Sequence, residues 1–89
     1  MKIIEIIHVR LLAREPKILS ERIRESIDSE ITDKVFTIFQ RDNLESDLAV
    51  HIHRNEYNRQ SGPGQFGIHL ASSLKAYGLV DHTVWKELI

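Results

Sequence analysis

The chain contains no cysteine, so disulfide frameworks, thiolate nucleophiles and cysteine-based zinc sites are excluded. It also has no apolar stretch near the roughly 18 residues that a membrane span requires. The first residues are apolar, but Glu5, His8 and Arg10 interrupt them, so they do not form the hydrophobic region of a signal peptide. These absences lead us to expect a soluble cytoplasmic protein that has no membrane association.

There is no excess of positive charge, since 12 basic residues face 13 acidic ones and the net charge is −1. Nucleic-acid binding usually needs concentrated positive charge, and recognition of RNA on a sheet needs a pair of aromatic residues. Phe39 is nearly alone among the strand candidates, so nucleic acid is not an expected partner. Because 42% of the residues are hydrophobic and 28% are charged, we expect one globular domain over residues 1–89.

Apolar periodicity predicts most of the secondary structure. Residues 3–12 are rich in β-branched side chains and predict a strand, whereas an apolar residue at every fourth position after Pro16 predicts a helix. Two further strands are expected at residues 35–41 and 48–54, joined by a polar loop at 42–47. The helical stripe consists of Leu19, Ile23, Ile27 and Ile31.

The second half of the chain predicts a loop and two helices. Residues 56–64 are rich in polar residues and glycine, and an apolar stripe of Phe66, Leu70, Leu74 and Tyr77 then predicts a helix. Gly78 is placed to end that helix in the left-handed conformation. Asp81 is placed to cap a short last helix over residues 82–88.

This order of elements predicts an α+β fold related to the ferredoxin-like β-α-β-β-α sandwich. We expect a three-stranded sheet in which the third strand is central and antiparallel to both neighbours, with a short C-terminal helix. The helices should cover one face of the sheet, which receives Ile7, Val9, Leu11, Phe36, Ile38, Leu48, Val50 and Ile52.

Period-two alternation then assigns the remaining strand residues to the uncovered face. That face combines apolar side chains with three of the five histidines, which suggests either a subunit interface or a ligand site, or both at one seam. The apolar members are Ile4, Ile6, Val35 and Phe39. The candidate ligand-binding residues are His8, Arg10, Thr37, Phe39, His51 and His53.

A second candidate site precedes the helix at Phe66, where backbone N–H groups at a helix N-terminus could hold an anion. Its residues are Arg59, Ser61, Gly62 and Gly64. The loop is not a Walker-type phosphate loop, because no lysine follows its last glycine. His51, His53 and, on the neighbouring strand, His8 could face one another, but zinc usually needs four ligands or three and a water, there is no cysteine, and Glu5 falls on the other face. We therefore expect no metal site and no cofactor.

No sequence motif in the chain identifies a catalysed reaction. We therefore expect a self-associating binding or assembly module, most simply a homodimer, that also takes a small-molecule ligand. Two alternatives remain open at this point. One is a dimeric ferredoxin-like enzyme that uses the sheet-face histidines, and the other is an anion or nucleotide binder at the loop before Phe66.

Overall fold

The computed structural model describes residues 2–12, 16–30, 35–55 and 64–88. Over these residues the fold is α+β, with two helices and one four-stranded antiparallel sheet. The elements in chain order are β1 (Lys2–Leu11), α1 (Pro16–Glu30), β2 (Val35–Arg41), β3 (Leu44–Asn55), α2 (Gln65–Leu74) and β4 (Gly78–Lys86).

The strands lie in the order β2-β3-β1-β4. β3 pairs with both β1 and β2 in the antiparallel sense, so the predicted position of the third strand between the other two is confirmed. β1 is the second inner strand, because β4 pairs with its other edge. The sheet therefore has four strands, and the expectation of three was wrong.

The C-terminal segment is a strand, so the predicted short helix over residues 82–88 was also wrong. Val80, Thr83, Val84 and Trp85 are β-branched or aromatic residues that favour extended structure. Without β4, the outer N–H and C=O groups of β1 would lie unpaired beside the core. Pairing of β4 with β1 over Ile3↔Lys86 to Leu11↔Gly78 satisfies them.

Gly78 was expected to end α2, but it is the first residue of β4. The helix ends at Leu74, where the backbone N–H of Lys75 donates to the carbonyl of Ser72 and the N–H of Ala76 donates to the carbonyl of Ser73. Gly78 does not adopt a left-handed conformation; instead, a Cβ at this position would collide with the backbone carbonyl of Arg10. Glycine is required here because two backbones approach closely.

The loop predicted at residues 42–47 is much shorter in the structure. β2 and β3 are joined by the two residues Asp42 and Asn43, and Arg41 pairs with Leu44. Asn43 has a φ of 63°, a left-handed conformation that asparagine tolerates better than most residues. β3 therefore starts four residues earlier than expected, and residues 44–47 belong to the sheet.

Both helices pack on one face of the sheet, and the predicted core face is confirmed. Leu19 and Ile23 of α1 are buried there, as are Leu70, Ala71 and Leu74 of α2. Six of the strand residues predicted for this face are buried, namely Ile7, Val9, Leu11, Leu48, Val50 and Ile52, and Phe36 and Ile38 pack against them. The predicted loop at 56–64 lies outside the described residues except for Gly64.

Candidate functional site

The second face of the sheet carries no helix in the described part of the chain, and we call it the open face. The strand register sets side chains from the four strands in rows across it. One row, for example, runs from Phe39 through Ala49 and His8 to Asp81. The open face consists of Ile4, Ile6, His8, Arg10, Thr37, Phe39, Arg41, Asp47, Ala49, His51, His53, Leu79, Asp81, Thr83 and Trp85.

Large apolar side chains on this face are exposed. Phe39 is 49% exposed, Trp85 59% and Leu79 67%. Ile4 and Ile6 lie between them and are partly covered by their neighbours. Exposed apolar groups that share one face commonly mark an interaction surface.

All six predicted ligand-binding residues share the open face, and the structure divides them into two groups. Phe39 meets His51 edge-on, with 4.7 Å between ring centroids, and His53 lies 6.5 Å from His51. Thr37 is paired with His51 across the β2–β3 ladder. His8 and Arg10 belong to a second group around Asp47, a residue that sequence reasoning had assigned to a loop.

Asp47 is 1% exposed, and four side chains surround its carboxylate. Oδ2 lies 3.1 Å from His8 Nε2 and 3.4 Å from Arg41 Nη1. Oδ1 accepts hydrogen bonds from Arg10 Nε at 3.3 Å and from Ser46 Oγ at 3.5 Å. An ionised carboxylate only accepts, so His8 donates through Nε2 and keeps Nδ1 for another partner.

These contacts set the charge state of Asp47. Burial by itself raises the pKa of the carboxyl group, but hydrogen bonds from His8, Arg10 and Arg41, with the charge of Arg10, outweigh it. The pKa therefore lies below its ordinary value of 3.8. Asp47 is a fixed negative charge at neutral pH, and it holds two guanidinium groups at one end of the open face.

The lowered pKa of Asp47 predicts a pH-dependent contribution to stability. A depressed carboxyl pKa stabilises the fold above its unfolded pKa, here 3.8, and this contribution is lost as the pH falls through the folded pKa. Asp47→Asn should therefore lower the free energy of unfolding at pH 7 and make a smaller difference at pH 3. Urea unfolding at the two pH values measures this.

The matched control is Asp42→Asn, because Asp42 lies in the hairpin turn, where asparagine is equally suitable. Its effect on the free energy of unfolding should be small at both pH values. An Asp47→Asn effect that is the same at pH 3 and pH 7 would contradict a role for the ionised carboxylate.

The imidazole of His51 is neutral at pH 7. Burial, and secondarily the charge of His53, lower its pKa below 6.5. A neutral ring beside Phe39 gives this part of the open face an apolar, partly aromatic character. Within residues 2–12, 16–30, 35–55 and 64–88, no three His, Asp or Glu side chains are grouped as metal ligands.

A second buried carboxylate, Glu5, lies on the opposite face of the sheet beneath α2. Glu5 is 1% exposed and belongs to β1. Its Oε1 is 2.9 Å from His82 Nε2 and 3.2 Å from the backbone N of Gly64, while Oε2 is 3.6 Å from Arg54 Nε. We call Glu5, Arg54, His82 and the N–H of Gly64 the Glu5 centre.

The Glu5 centre depends on a glycine in the helix above it. A Cβ at Gly67 would collide with Glu5 Oε1 and come within 3.3 Å of His82 Cε1. Gly67 therefore lets α2 lie directly over the carboxylate, with its positive N-terminal end close to the negative charge. The centre ties the N-terminus of α2 to β1 and β4.

The predicted anion site before Phe66 is described only at Gly64, since Arg59, Ser61 and Gly62 lie outside the described residues. Gly64 is the N-cap of α2, and its N–H group donates to Glu5. In this structure the anion at Gly64 is a carboxylate of the chain itself. Binding of an external anion by these residues stays a prediction.

Sequence reasoning missed Glu5, Asp47 and His82, although Glu5 had left a signal. Glu5 interrupts a row of apolar residues on the core face of β1, where a charge needs a buried partner. Arg54 follows Ile52 at the next position of the same face of β3 and supplies one. His82 could not be found because its segment had been assigned to a helix.

Comparison of the chain with protein-family models, with curated protein sequences and with solved structures found no match. Neither described helix is long and apolar enough to cross a membrane.

Proposed function

We propose that the protein is a self-associating binding module whose open face packs against the open face of a second copy. The observation that carries this proposal is the group of apolar side chains on that face, among which Phe39, Leu79 and Trp85 are strongly exposed. Removing such side chains from water is favourable, by about 25 cal/mol for each Å² of apolar surface. A second sheet of the same shape would cover all of them at once.

The size of the face suits a dimer. Four strands about 4.8 Å apart, with seven paired residues in β2 and nine in each of the two ladders of β1, span a surface of roughly 20 by 30 Å. Side-chain relief makes the accessible area larger than this outline. It approaches the roughly 800 Å² that each partner buries in a stable interface.

We also propose a fold class and a cellular location for the protein. We assign the chain to the ferredoxin-like class because β3 lies between β1 and β2 and is antiparallel to both, with β4 on the other side of β1. An antiparallel sheet can bury one face beneath helices and leave the other uncovered, and that uncovered face is then available to a second sheet. A cytoplasmic location is consistent with a chain that uses no cysteine.

Phe39→Glu tests the dimer. The substitution would bury an unpaired carboxylate in the interface, which should weaken dimerisation by about 100-fold. Size-exclusion chromatography with light scattering, run over a range of micromolar concentrations, should show a dimer for the unmodified protein and a monomer for the variant. Circular dichroism of the variant should remain that of a folded α+β protein.

Ile68→Glu is the matched control. Ile68 is 48% exposed on α2, almost the same as Phe39, but it lies on the helical side of the molecule. It should leave dimerisation unchanged. If Ile68→Glu abolishes the dimer and Phe39→Glu does not, self-association uses another surface and the proposal is wrong.

A further inference from the structure

We propose that the end of the open face around Asp47 binds a small anionic group, a carboxylate or a phosphate, through Arg10 and Arg41. This inference rests on the proposed function, because it names the ligand class for the binding part of the module. The site lies where β1 and β2 end, at the rim of the sheet. A small anion can therefore reach it while a second copy covers the apolar centre.

The buried carboxylate of Asp47 builds this site in advance. It holds Arg10 through Nε and Arg41 through Nη1, and these two arginines come from strands on either side of β3. A guanidinium has five N–H donors, so each arginine retains donors that Asp47 does not use. Their side chains are 56% and 62% exposed, which leaves these donors accessible to a ligand.

The electrostatic balance favours an anion. Asp47 offsets one of the two arginine charges and is itself shielded from solvent, so the accessible part of the cluster is positive. His8 adds a ring whose Nδ1 is not used by Asp47. Asp81 pairs with His8 across the β1–β4 ladder, but it lies two strands away from Asp47.

The neighbouring side chains indicate what the anionic group is attached to. Phe39 lies two residues before Arg41 on the same face, and its ring contacts the neutral ring of His51. A flat apolar group could pack on these rings while its carboxylate or phosphate met the arginines. The expected ligand is therefore a small molecule that has an anionic group and an aromatic or apolar body.

Titrations of the ¹⁵N-labelled protein with benzoate, acetate and inorganic phosphate, at constant ionic strength set with chloride, test this inference. Saturable shifts are expected for the Arg10 Nε–H signal and for the backbone amides of Arg41 and Asp47. Benzoate should bind more tightly than acetate if Phe39 and His51 contribute. The phosphate arm shows whether the arginines prefer a carboxylate or a phosphate.

Arg41→Gln should weaken binding of the preferred probe by about tenfold, because one charge-assisted contact is lost. Arg24→Gln, on the exposed side of α1, should leave it unchanged. Shifts that rise linearly without saturation, or that are equal in Arg41→Gln and the unmodified protein, would overturn the inference.

Light scattering separates the two proposals: a monomer that binds anions contradicts only the dimer, and a dimer that does not bind them contradicts only this site.

Discussion

Replacing Glu5 by alanine is expected to lower the free energy of unfolding by about 3–5 kcal/mol. Breaking a buried ion pair by removing one partner has a cost of this order, because the other charge stays buried and loses its counter-charge. Here Arg54 and His82 would lose their carboxylate, and the N–H of Gly64 would lose its acceptor. Chemical denaturation at one fixed protein concentration measures the effect, since stability of a dimer depends on concentration.

Glu21→Ala is the control for this experiment, because Glu21 is exposed on α1. Its effect should stay within about 0.5 kcal/mol. The double variant Glu5→Met with Arg54→Met should recover much of the lost stability, since apolar side chains can replace a buried ion pair. A loss below about 1 kcal/mol for Glu5→Ala would mean that the Glu5 centre does not support the fold.

Gly78→Ala should lower the free energy of unfolding by about 2–3 kcal/mol, the cost of overpacking. The added Cβ would meet the carbonyl of Arg10, which is backbone and cannot rotate away. Overpacking of this kind forces backbone shifts. The β1–β4 ladder should open at the Leu11↔Gly78 end, so hydrogen exchange of amides near Gly78 should accelerate in the variant.

Leu79→Ala serves as the comparison, because Leu79 is the next residue and its side chain is exposed on the open face. In a monomeric background such as Phe39→Glu, it should change the free energy of unfolding only slightly. If Gly78→Ala unfolds at the same denaturant concentration as the unmodified protein, β4 can move away from β1 at little cost in free energy.

The spacing of apolar residues along the chain was enough to predict the first five elements, β1 to α2, because the apolar residues of each recur with a clear period. Leu19 and Ile23 mark the core side of α1, and the alternation at Leu48, Val50 and Ile52 fixed both faces of β3. Prediction failed after Leu74. A glycine at position 78 is compatible with a helix end and also with a close contact between two backbones. The edge of β1, which needs a pairing partner, favours the second, and this is a long-range feature that local pattern does not show.

The candidate site was predictable in part for the same reason. Alternation placed His8, His51 and His53 on one face, and the register confirms that geometry. It did not reveal that Asp47 joins His8 and Arg10, because this contact depends on the length of the β2–β3 turn. A loop of six residues would have removed Asp47 from the sheet, whereas the two-residue turn at Asn43 brings it into register with Arg10.

Sedimentation equilibrium of the unmodified protein is the most direct test of the proposed self-association through the open face. At micromolar concentrations the protein should sediment with a mass near twice 10.3 kDa and approach the monomer mass on dilution. A mass that stays at 10.3 kDa up to the highest attainable concentration would contradict the account, because the exposed Phe39, Leu79 and Trp85 would then need no second copy.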